Sequence, residues 1–269
     1  MQTSITSSTG TLLRGWRQRR GMSQLDVAAG ADSSTRHVSF IETGRALPSR
    51  SLLLRLAALL EVPLRERNTL LLSAGYAPMY RESGIGDAAM ASARDAIERL
   101  LMGHDPYPAL VVDRHWNLLT ANRAAQGLMA GLPDTLLQPT CNVLRVSLHP
   151  SGLAPRIENL AEWRAHILER LHHQHASTGD PVLAALHAEL QGYPVDTADA
   201  SSVPDAGSII VPLRLRVEGG HVLSLISTTT VFGTPRDVTL AEMAIESFFP
   251  ADAATAALLQ AAQPRHGDA

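Results

Sequence analysis

Five short segments with apolar residues at helical spacing follow one another between residues 12 and 75. Ser23 and Ser34 precede the second and third segments, residues 24–29 and 35–42, and a serine in that position caps a helix N-terminus. A turn that contains glycine separates these two segments. Two short helices joined by such a turn are typical of a helix-turn-helix. The spacing therefore predicts an all-helical unit of five short helices.

Charge is divided unevenly along the chain. Residues 1–82 contain 11 arginines and 6 acidic residues, a formal charge of +5, whereas residues 83–269 carry −8. A basic segment joined to an acidic one predicts that the basic segment binds a polyanion. With 45% hydrophobic and 18% charged residues, the composition is that of a globular protein and excludes wholesale disorder.

The basic segment resembles the DNA-binding domain of lambdoid phage repressors and of xenobiotic-response-element-type regulators, on the residues RGWRQRRGMSQLDVAAGADSSTRHVSFIETGRALPSRSLLLRLAALLEV. The resemblance implies a five-helix lambda-repressor-like fold and a double-stranded DNA operator as partner. Its third helix would enter a groove of the duplex as the recognition helix. Gln24 would contact a DNA phosphate, and Arg45 and Arg50 would contact phosphates or the adjacent groove. Thr35, Arg36 and Phe40 would meet base edges, and His37 could reach a base or a phosphate. Ser34, which caps the third helix, is also a candidate DNA-binding residue.

The resemblance also assigns individual roles. Arg36 can donate two hydrogen bonds to the O6 and N7 atoms of guanine. Phe40 can make only apolar contacts, with a thymine methyl group as the expected partner, where many relatives have a polar residue. Arg17 and Glu42 match a buried ion pair of the family that joins the first helix to the third. We expect that pair to be structural and not a DNA contact.

The acidic part of the chain has strand patterns towards both ends and helix patterns between them. Short strands are predicted at residues 109–113 and 115–122, and a hairpin turns at Gly219 and Gly220 between the strands of residues 208–233. Helices are predicted at 88–103, 158–176, 181–190 and 237–249. This order predicts a PAS-like antiparallel sheet with helices over one face, so the expected fold class is α plus α/β.

We therefore expect four parts in the chain: a helix-turn-helix DNA-binding domain at 1–82, a connecting helix at 83–104, a PAS-like ligand-binding domain at 105–255 and a C-terminal tail at 256–269 that frays at QPRHGDA. Residues 191–207 are rich in turn-forming residues and are predicted to be a loop.

The whole chain resembles the MmyB-like transcriptional regulators of bacteria, on the segments HVSFIETGRALPSR, LLLSAGYAP, VVDRHWNLLTAN and NVLRVSLHPSGL. The resemblance implies a transcriptional regulator whose PAS-like domain binds a small apolar molecule, with a fatty acid as one candidate, and so modulates operator binding. The candidate ligand-binding residues are Trp116, Cys141, Arg145, His149, Trp163 and Arg214. Arg145 and His149, together with Arg156, would bind a carboxylate head group if they line the pocket.

Catalytic and metal-binding motifs are not found. The sequence has no nucleophile elbow, phosphate-binding loop, dinucleotide fingerprint or HExxH motif, which predicts a protein that is not an enzyme and has no catalytic residues. His172, His175 and His187 have the spacing to share a metal, but a histidine-rich surface at a helix C-terminus explains them equally well. We expect no metal and no cofactor apart from the small organic ligand.

Two alternatives to a ligand-responsive regulator stay open. One is a metabolite-transforming enzyme domain fused to a DNA-binding or assembly domain, and the other is a regulator whose second domain only dimerises. The single cysteine excludes an internal disulfide and is typical of a reducing compartment. No apolar segment approaches the roughly 18 residues of a membrane-spanning helix. We expect a cytoplasmic homodimer without a membrane partner.

Overall fold

The structure is a computed structural model and describes residues 8–194 and 209–262. It divides into two compact units. The helix-turn-helix unit consists of Met1–Gly84 with the short segments Ala176–Thr178 and Thr234–Ala241. The sheet unit consists of Ile85–His175, Gly179–Gly233 and Glu242–Ala269. No helix in the described part of the chain combines the length and the hydropathy needed to cross a bilayer.

The helix-turn-helix unit is built from five consecutive helices in the described part of residues 8–84. They are α1 (Thr9–Arg19), α2 (Gln24–Gly30), α3 (Thr35–Glu42), α4 (Arg50–Leu59) and α5 (Leu64–Ser73). Their apolar faces meet in one core that includes Trp16, Val27, Ile41, Leu53 and Leu71, each at most 4% exposed. The five-helix prediction is confirmed.

Local capping determines where α2 and α3 begin. The Ser23 hydroxyl accepts a hydrogen bond from the backbone N–H of Asp26, and the Asp26 carboxylate accepts one from the backbone N–H of Ser23. This reciprocal capping box begins α2. The Ser34 hydroxyl accepts from the backbone N–H of His37 and begins α3 in the same way. Both boundaries therefore follow from residues within three positions of the helix start.

The sheet unit contains five antiparallel strands among its described residues, in the order β2-β1-β5-β4-β3. They are β1 (Ala109–Val112), β2 (Leu118–Ala121), β3 (Leu213–Arg216), β4 (Val222–Val231) and β5 (Ala244–Pro250). The helices that follow α5 in the chain are α6 (Ala91–His104), α7 (Arg123–Met129), α8 (Asp134–Leu137), α9 (Val143–Leu148), α10 (Leu160–Thr178), α11 (Pro181–Gln191), α12 (Val238–Ala241) and α13 (Ala253–Ala261). All of them belong mainly to the sheet unit except α12, which belongs to the helix-turn-helix unit.

Apolar and charged residues alternate along β3, so one face of this strand is buried and the other is exposed. Leu213 and Leu215 of β3 are buried, whereas Arg214 and Arg216 between them are exposed. The buried leucines join a core to which helices α9, α10 and α11 contribute residues such as Val146, Trp163 and Leu190. The result is the PAS-like sheet with covering helices that the sequence predicts.

The predicted helix over 237–249 is wrong. Only Val238–Ala241 is helical, and Ala244–Pro250 forms β5 in the middle of the sheet, between β1 and β4. The helical spacing of this segment is overridden because β5 pairs on both edges and buries Ile245 and Glu246.

The predicted C-terminal tail from residue 256 begins inside a helix that the sequence analysis does not predict. Residues 253–261 form α13, whose first turn is capped by Asp252, and its Thr255 is fully buried. The hydroxyl of Thr255 accepts a hydrogen bond from the backbone N–H of Ser224 in β4. Residues 263–269 of that tail, and 195–208 of the predicted loop, lie outside the described residues.

Candidate functional sites

The recognition-helix face of α3 is solvent-exposed within the helix-turn-helix unit. Val38 and Ile41 point into the core at 3% and 2% exposure and fix the orientation of the helix. Thr35 and Arg36, at its N-terminal end, are exposed. The N-terminal edge of α3 is therefore available to a groove in this unit.

Phe40 organises two of the predicted DNA contacts. The guanidinium carbons of Arg36 and Arg45 lie 5.2 Å and 5.9 Å from the centre of its ring. Such cation–π contacts are worth about 0.5–1 kcal/mol at exposed sites. Phe40 thus holds two exposed arginines on one surface, a role that the sequence reasoning, which gave it only an apolar base contact, did not include.

The side chain of Gln24 forms a hydrogen bond within the helix-turn-helix unit. Its side-chain amide donates a hydrogen bond of 2.9 Å to Oε2 of Glu42. Glu42 also accepts two hydrogen bonds from Arg17, at 2.6 Å from Nε and 3.0 Å from Nη2. Burial alone would raise the pKa of Glu42, but the hydrogen bonds from Arg17 and Gln24 and the charges of Arg17 and Arg14 outweigh it and lower this pKa. The phosphate contact of the Gln24 side chain remains a prediction, and it would require that side chain to leave Glu42.

The other predicted DNA contacts occupy the flanks of α3 and α4. Ser34 serves as the N-cap of α3. The Nδ1 atom of His37 lies 3.3 Å from the hydroxyl of Ser33. Arg45 and Arg50, after α3 and at the start of α4, are exposed. Their contacts with DNA also stay predictions.

The sheet unit contains a cavity of about 90 Å³ between the sheet and its covering helices. This volume is well above the roughly 10–15 Å³ that one water molecule needs. We call it the ligand cavity. Its walls are mainly apolar, and the lining residues include Leu110, Trp116, Ala125, Met129, Leu144, Ser147, Trp163, His166, Ile167, Arg170, Leu215, Leu225, Ser227, Glu246 and Phe248.

Trp116 lines the ligand cavity and has an unusual backbone conformation. Its φ angle is +69°, a left-handed value that a bulky residue seldom adopts. The carboxylate of Asp113 holds the turn by accepting hydrogen bonds from the backbone N–H groups of His115 and Asn117. The indole Nε1 donates to Gln174 at 2.8 Å. Strained conformations held by their surroundings cluster at functional sites.

A polar end of the ligand cavity is formed by His166, Arg170 and Glu246. Arg170 donates to both carboxylate oxygens of Glu246, at 2.6 Å and 3.1 Å. The hydroxyl of Thr229 donates a third hydrogen bond to Glu246 at 2.8 Å. The guanidinium carbon of Arg170 lies 4.4 Å from the centre of the Trp116 ring. Burial and the positive charge of Arg170 lower the pKa of His166.

Sequence reasoning missed this polar end. His166 and Arg170 are three and seven residues after Trp163, which places all three on one face of α10. That spacing was a usable signal. For Glu246 the sequence contains no comparable pattern, because the helical spacing of residues 237–249 predicts a helix there.

Two of the six predicted ligand residues, Trp116 and Trp163, line the ligand cavity. Arg145 does not, because its guanidinium forms two hydrogen bonds of 2.8 Å with Glu189 on α11. His149 packs edge-on against Tyr193, with ring centres 5.1 Å apart, and its Nδ1 accepts from the backbone of Ser151. Arg145 and His149 therefore lie outside the lining of the ligand cavity, and ligand binding by either residue stays a prediction.

Cys141 and Arg214 also lie outside the lining of the ligand cavity. Arg214 projects from the exposed side of β3 and donates to Glu158 at 3.1 Å. Cys141 is half-buried, and burial raises the pKa of its thiol. Arg156 donates to two backbone carbonyls, those of Arg216 and Leu128. None of these side chains supplies the expected carboxylate-binding group.

The histidines of α10 and α11 lie close together. The rings of His172 and His187 are 5.9 Å apart. The pKa of His187 is lowered by burial and by the charges of His172 and His175. His175 is occupied locally, with its Nδ1 3.0 Å from the backbone oxygen of Asp180. Across the described ranges, no three His, Cys, Asp or Glu side chains are grouped to hold a metal ion.

Two known structures resemble parts of the chain only weakly. An alignment to the clp gene regulator ClgR from Corynebacterium glutamicum covers 39% of this chain and 99% of that protein, at 22% identity and a TM-score of 0.23. An alignment to an RNA-binding light-oxygen-voltage receptor covers 97% of this chain and 62% of that one, at 15% identity and a TM-score of 0.28. No curated protein gives a significant match.

Family models match both units. Residues 9–70 match a helix-turn-helix domain. Residues 93–262, more than half of the chain, match the MmyB-like transcription regulator ligand binding domain. With the exposed residues of α3 in one unit and a largely apolar cavity in the other, the chain belongs to the MmyB-like transcription regulators and is a DNA-binding transcriptional regulator.

Proposed function

We propose that the protein binds a specific DNA operator through α3 and that a small apolar molecule in the ligand cavity modulates this binding. The observation that carries the first part is the exposed pair Arg36 and Arg45, which both contact the ring of Phe40. Phe40 belongs to α3, whose other face is fixed in the core. The net charge of +5 over residues 1–82 supports a polyanionic partner.

The DNA-binding part is tested by Arg36→Ala. The operator is first obtained by selecting bound fragments from genomic DNA. Because a bidentate arginine–guanine contact contributes about 1–3 kcal/mol of discrimination, Arg36→Ala should reduce the ratio of operator affinity to non-operator affinity by about 5- to 150-fold. The measurement is a pair of binding titrations at one salt concentration.

A matched control is Arg14→Ala, which removes an equally exposed charge from α1. Non-specific binding depends on phosphate contacts, so this variant should weaken both affinities together and leave their ratio unchanged. An unchanged ratio in Arg36→Ala would contradict the assignment of α3 as the recognition helix.

We propose further that the regulator acts as a homodimer on two half-sites. Helix-turn-helix dimers place their recognition helices about one helical turn of DNA apart, roughly 34–36 Å. The supporting observation is the match to a helix-turn-helix domain. Light scattering of the purified chain, and the spacing of protected half-sites in a footprint, test this directly.

The ligand-binding part rests on the ligand cavity and its largely apolar walls. A buried apolar space favours an apolar ligand because burial removes its hydrocarbon surface from water. A fatty-acid-like molecule is one candidate from the family resemblance. A ligand that binds one operator-competent conformation more tightly than the other shifts the equilibrium between them. The domain content points to a regulator and not to an enzyme.

A further inference from the structure

The ligand cavity has a balanced charge. Among its described lining residues, the ionisable side chains are His166, Arg170 and Glu246. Arg170 and Glu246 face each other as an ion pair of 2.6 Å, and the Glu246 side chain is 5% exposed. A ligand that enters therefore meets one positive and one negative group together.

The guanidinium of Arg170 already forms hydrogen bonds with the carboxylate of Glu246. Its two Nη atoms donate to both oxygens of Glu246, in the forked geometry that a carboxylate ligand would otherwise use. A ligand carboxylate at Arg170 would lie beside the Glu246 carboxylate, and like charges in a water-poor site repel strongly. Displacing Glu246 instead would leave a buried carboxylate without its cationic partner, which is also unfavourable.

The pair still has hydrogen-bonding capacity for an uncharged group. The bonds of Arg170 to Glu246 and Thr229 use three of its five N–H donors within the described residues. Oε2 of Glu246 accepts one hydrogen bond there, from Arg170, and has a second lone pair. A hydroxyl or primary amide both donates and accepts, so it can satisfy a donor and an acceptor of the pair at once. His166, with its lowered pKa, adds no positive charge to attract a carboxylate.

We propose that the ligand cavity selects an apolar ligand with an uncharged hydrogen-bonding head group, an alcohol or primary amide, over the matching carboxylate. This inference rests on the proposed ligand-binding function. It names Arg170 and Glu246 as the residues that set specificity. It also departs from the expected fatty-acid ligand in the charge of the head group.

The test compares ligands that share one chain and differ in the head group. Octanamide, octan-1-ol and octanoate are titrated into the purified full-length protein by calorimetry at pH 7.5. Because a carboxylate beside Glu246 is repelled, octanamide and octan-1-ol should bind at least about tenfold more tightly than octanoate. Octanoate binding as tightly as octanamide would overturn the inference and leave the ligand-binding function intact. Binding of none of the three up to their solubility limits would contradict that function, and the inference with it.

Glu246→Gln is the variant that isolates the charge balance. It leaves the charge of Arg170 uncompensated, so octanoate affinity should rise at least about tenfold, while octanamide affinity changes by less than about threefold. An unchanged preference in a folded Glu246→Gln protein, checked by circular dichroism, would overturn the assignment to this pair.

A second variant keeps the test independent of how Glu246→Gln folds. The Arg170 side chain is 32% exposed against 5% for Glu246, so Arg170→Gln changes the more accessible partner of the pair, and circular dichroism checks that this variant folds. It leaves the negative charge of Glu246 alone in the cavity wall. Octylamine, which is cationic at pH 7.5, should then bind at least about tenfold more tightly than it does to the unmodified protein. No gain for octylamine would overturn the inference.

Discussion

Replacing Glu42 by glutamine is expected to destabilise the helix-turn-helix unit by about 2 kcal/mol. Glu42 ends α3 and accepts hydrogen bonds from Arg17 on α1 and Gln24 on α2, so it connects three helices. The side chains of Arg17 and Glu42 are 14% and 5% exposed, so this ion pair is more buried than the pairs Arg20–Glu61 and Arg65–Glu82.

The magnitude follows from what glutamine retains. Removing one partner of a fully buried ion pair costs about 3–5 kcal/mol. Glutamine keeps one carbonyl oxygen, which can still accept a hydrogen bond from Arg17, and such a bond to a charged group recovers about 1.5–3 kcal/mol. The small exposure of Arg17 lets water stabilise its unpaired charge slightly. The difference leaves a loss of about 2 kcal/mol.

Hydrogen exchange of the full chain measures this loss locally, because α1 and α3 are read as separate peptides by mass spectrometry. A loss of about 2 kcal/mol corresponds to about 30-fold faster exchange of their protected amides. The control is Glu82→Gln, whose carboxylate pairs with Arg65 but is 54% exposed. An exposed pair contributes about 0–1 kcal/mol. The reasoning is refuted if Glu42→Gln speeds exchange in α1 and α3 no more than the control does.

Two further predictions concern titration. Because the pKa of Glu42 is lower in the folded chain than its ordinary value of 4.5, its contribution is fully present above about pH 4.5 and is lost as the pH falls through the folded value. The stability difference between the wild type and Glu42→Gln should therefore shrink between pH 6 and pH 3 in thermal unfolding, and a constant difference would contradict this cause. Burial raises the pKa of Cys141, so iodoacetamide at pH 7.5 should alkylate it at least about tenfold more slowly in the folded chain than in guanidinium. Equal rates would show that the thiol is accessible and ionised.

The helix-turn-helix unit was predictable because its signals are local. Ser23, Asp26 and Ser34 lie within three residues of the helix starts that they cap, and the predicted bounds of α3, residues 35–42, match the structure. The ion-pair partners Arg17 and Glu42 could be named only through the family resemblance, because 25 residues separate them.

The order of strands and helices in the sheet unit was largely predictable from the sequence, but the central strand β5 was not. The hairpin at Gly219 and Gly220 and the alternation of β3 are local patterns. In contrast, β5 owes its conformation to partners more than 100 residues before it in β1, which no window of sequence contains. Because residues 237–249 are predicted as a helix, the position of Glu246 at the polar end of the ligand cavity could not be predicted either.

The position of β5 has a consequence for how the protein is made. Among the described residues β5 is the last strand in sequence order, yet it joins the β1–β2 pair to the β3–β4 pair. Until residues 244–250 emerge from the ribosome, the two hairpins share no strand and Arg170 lacks its carboxylate. The five helices α1–α5, whose caps are local, can form during synthesis before the ligand cavity is complete. A chain cut short before residue 244 would thus keep the helices of the helix-turn-helix unit but lack the central strand and the Glu246 wall of the ligand cavity.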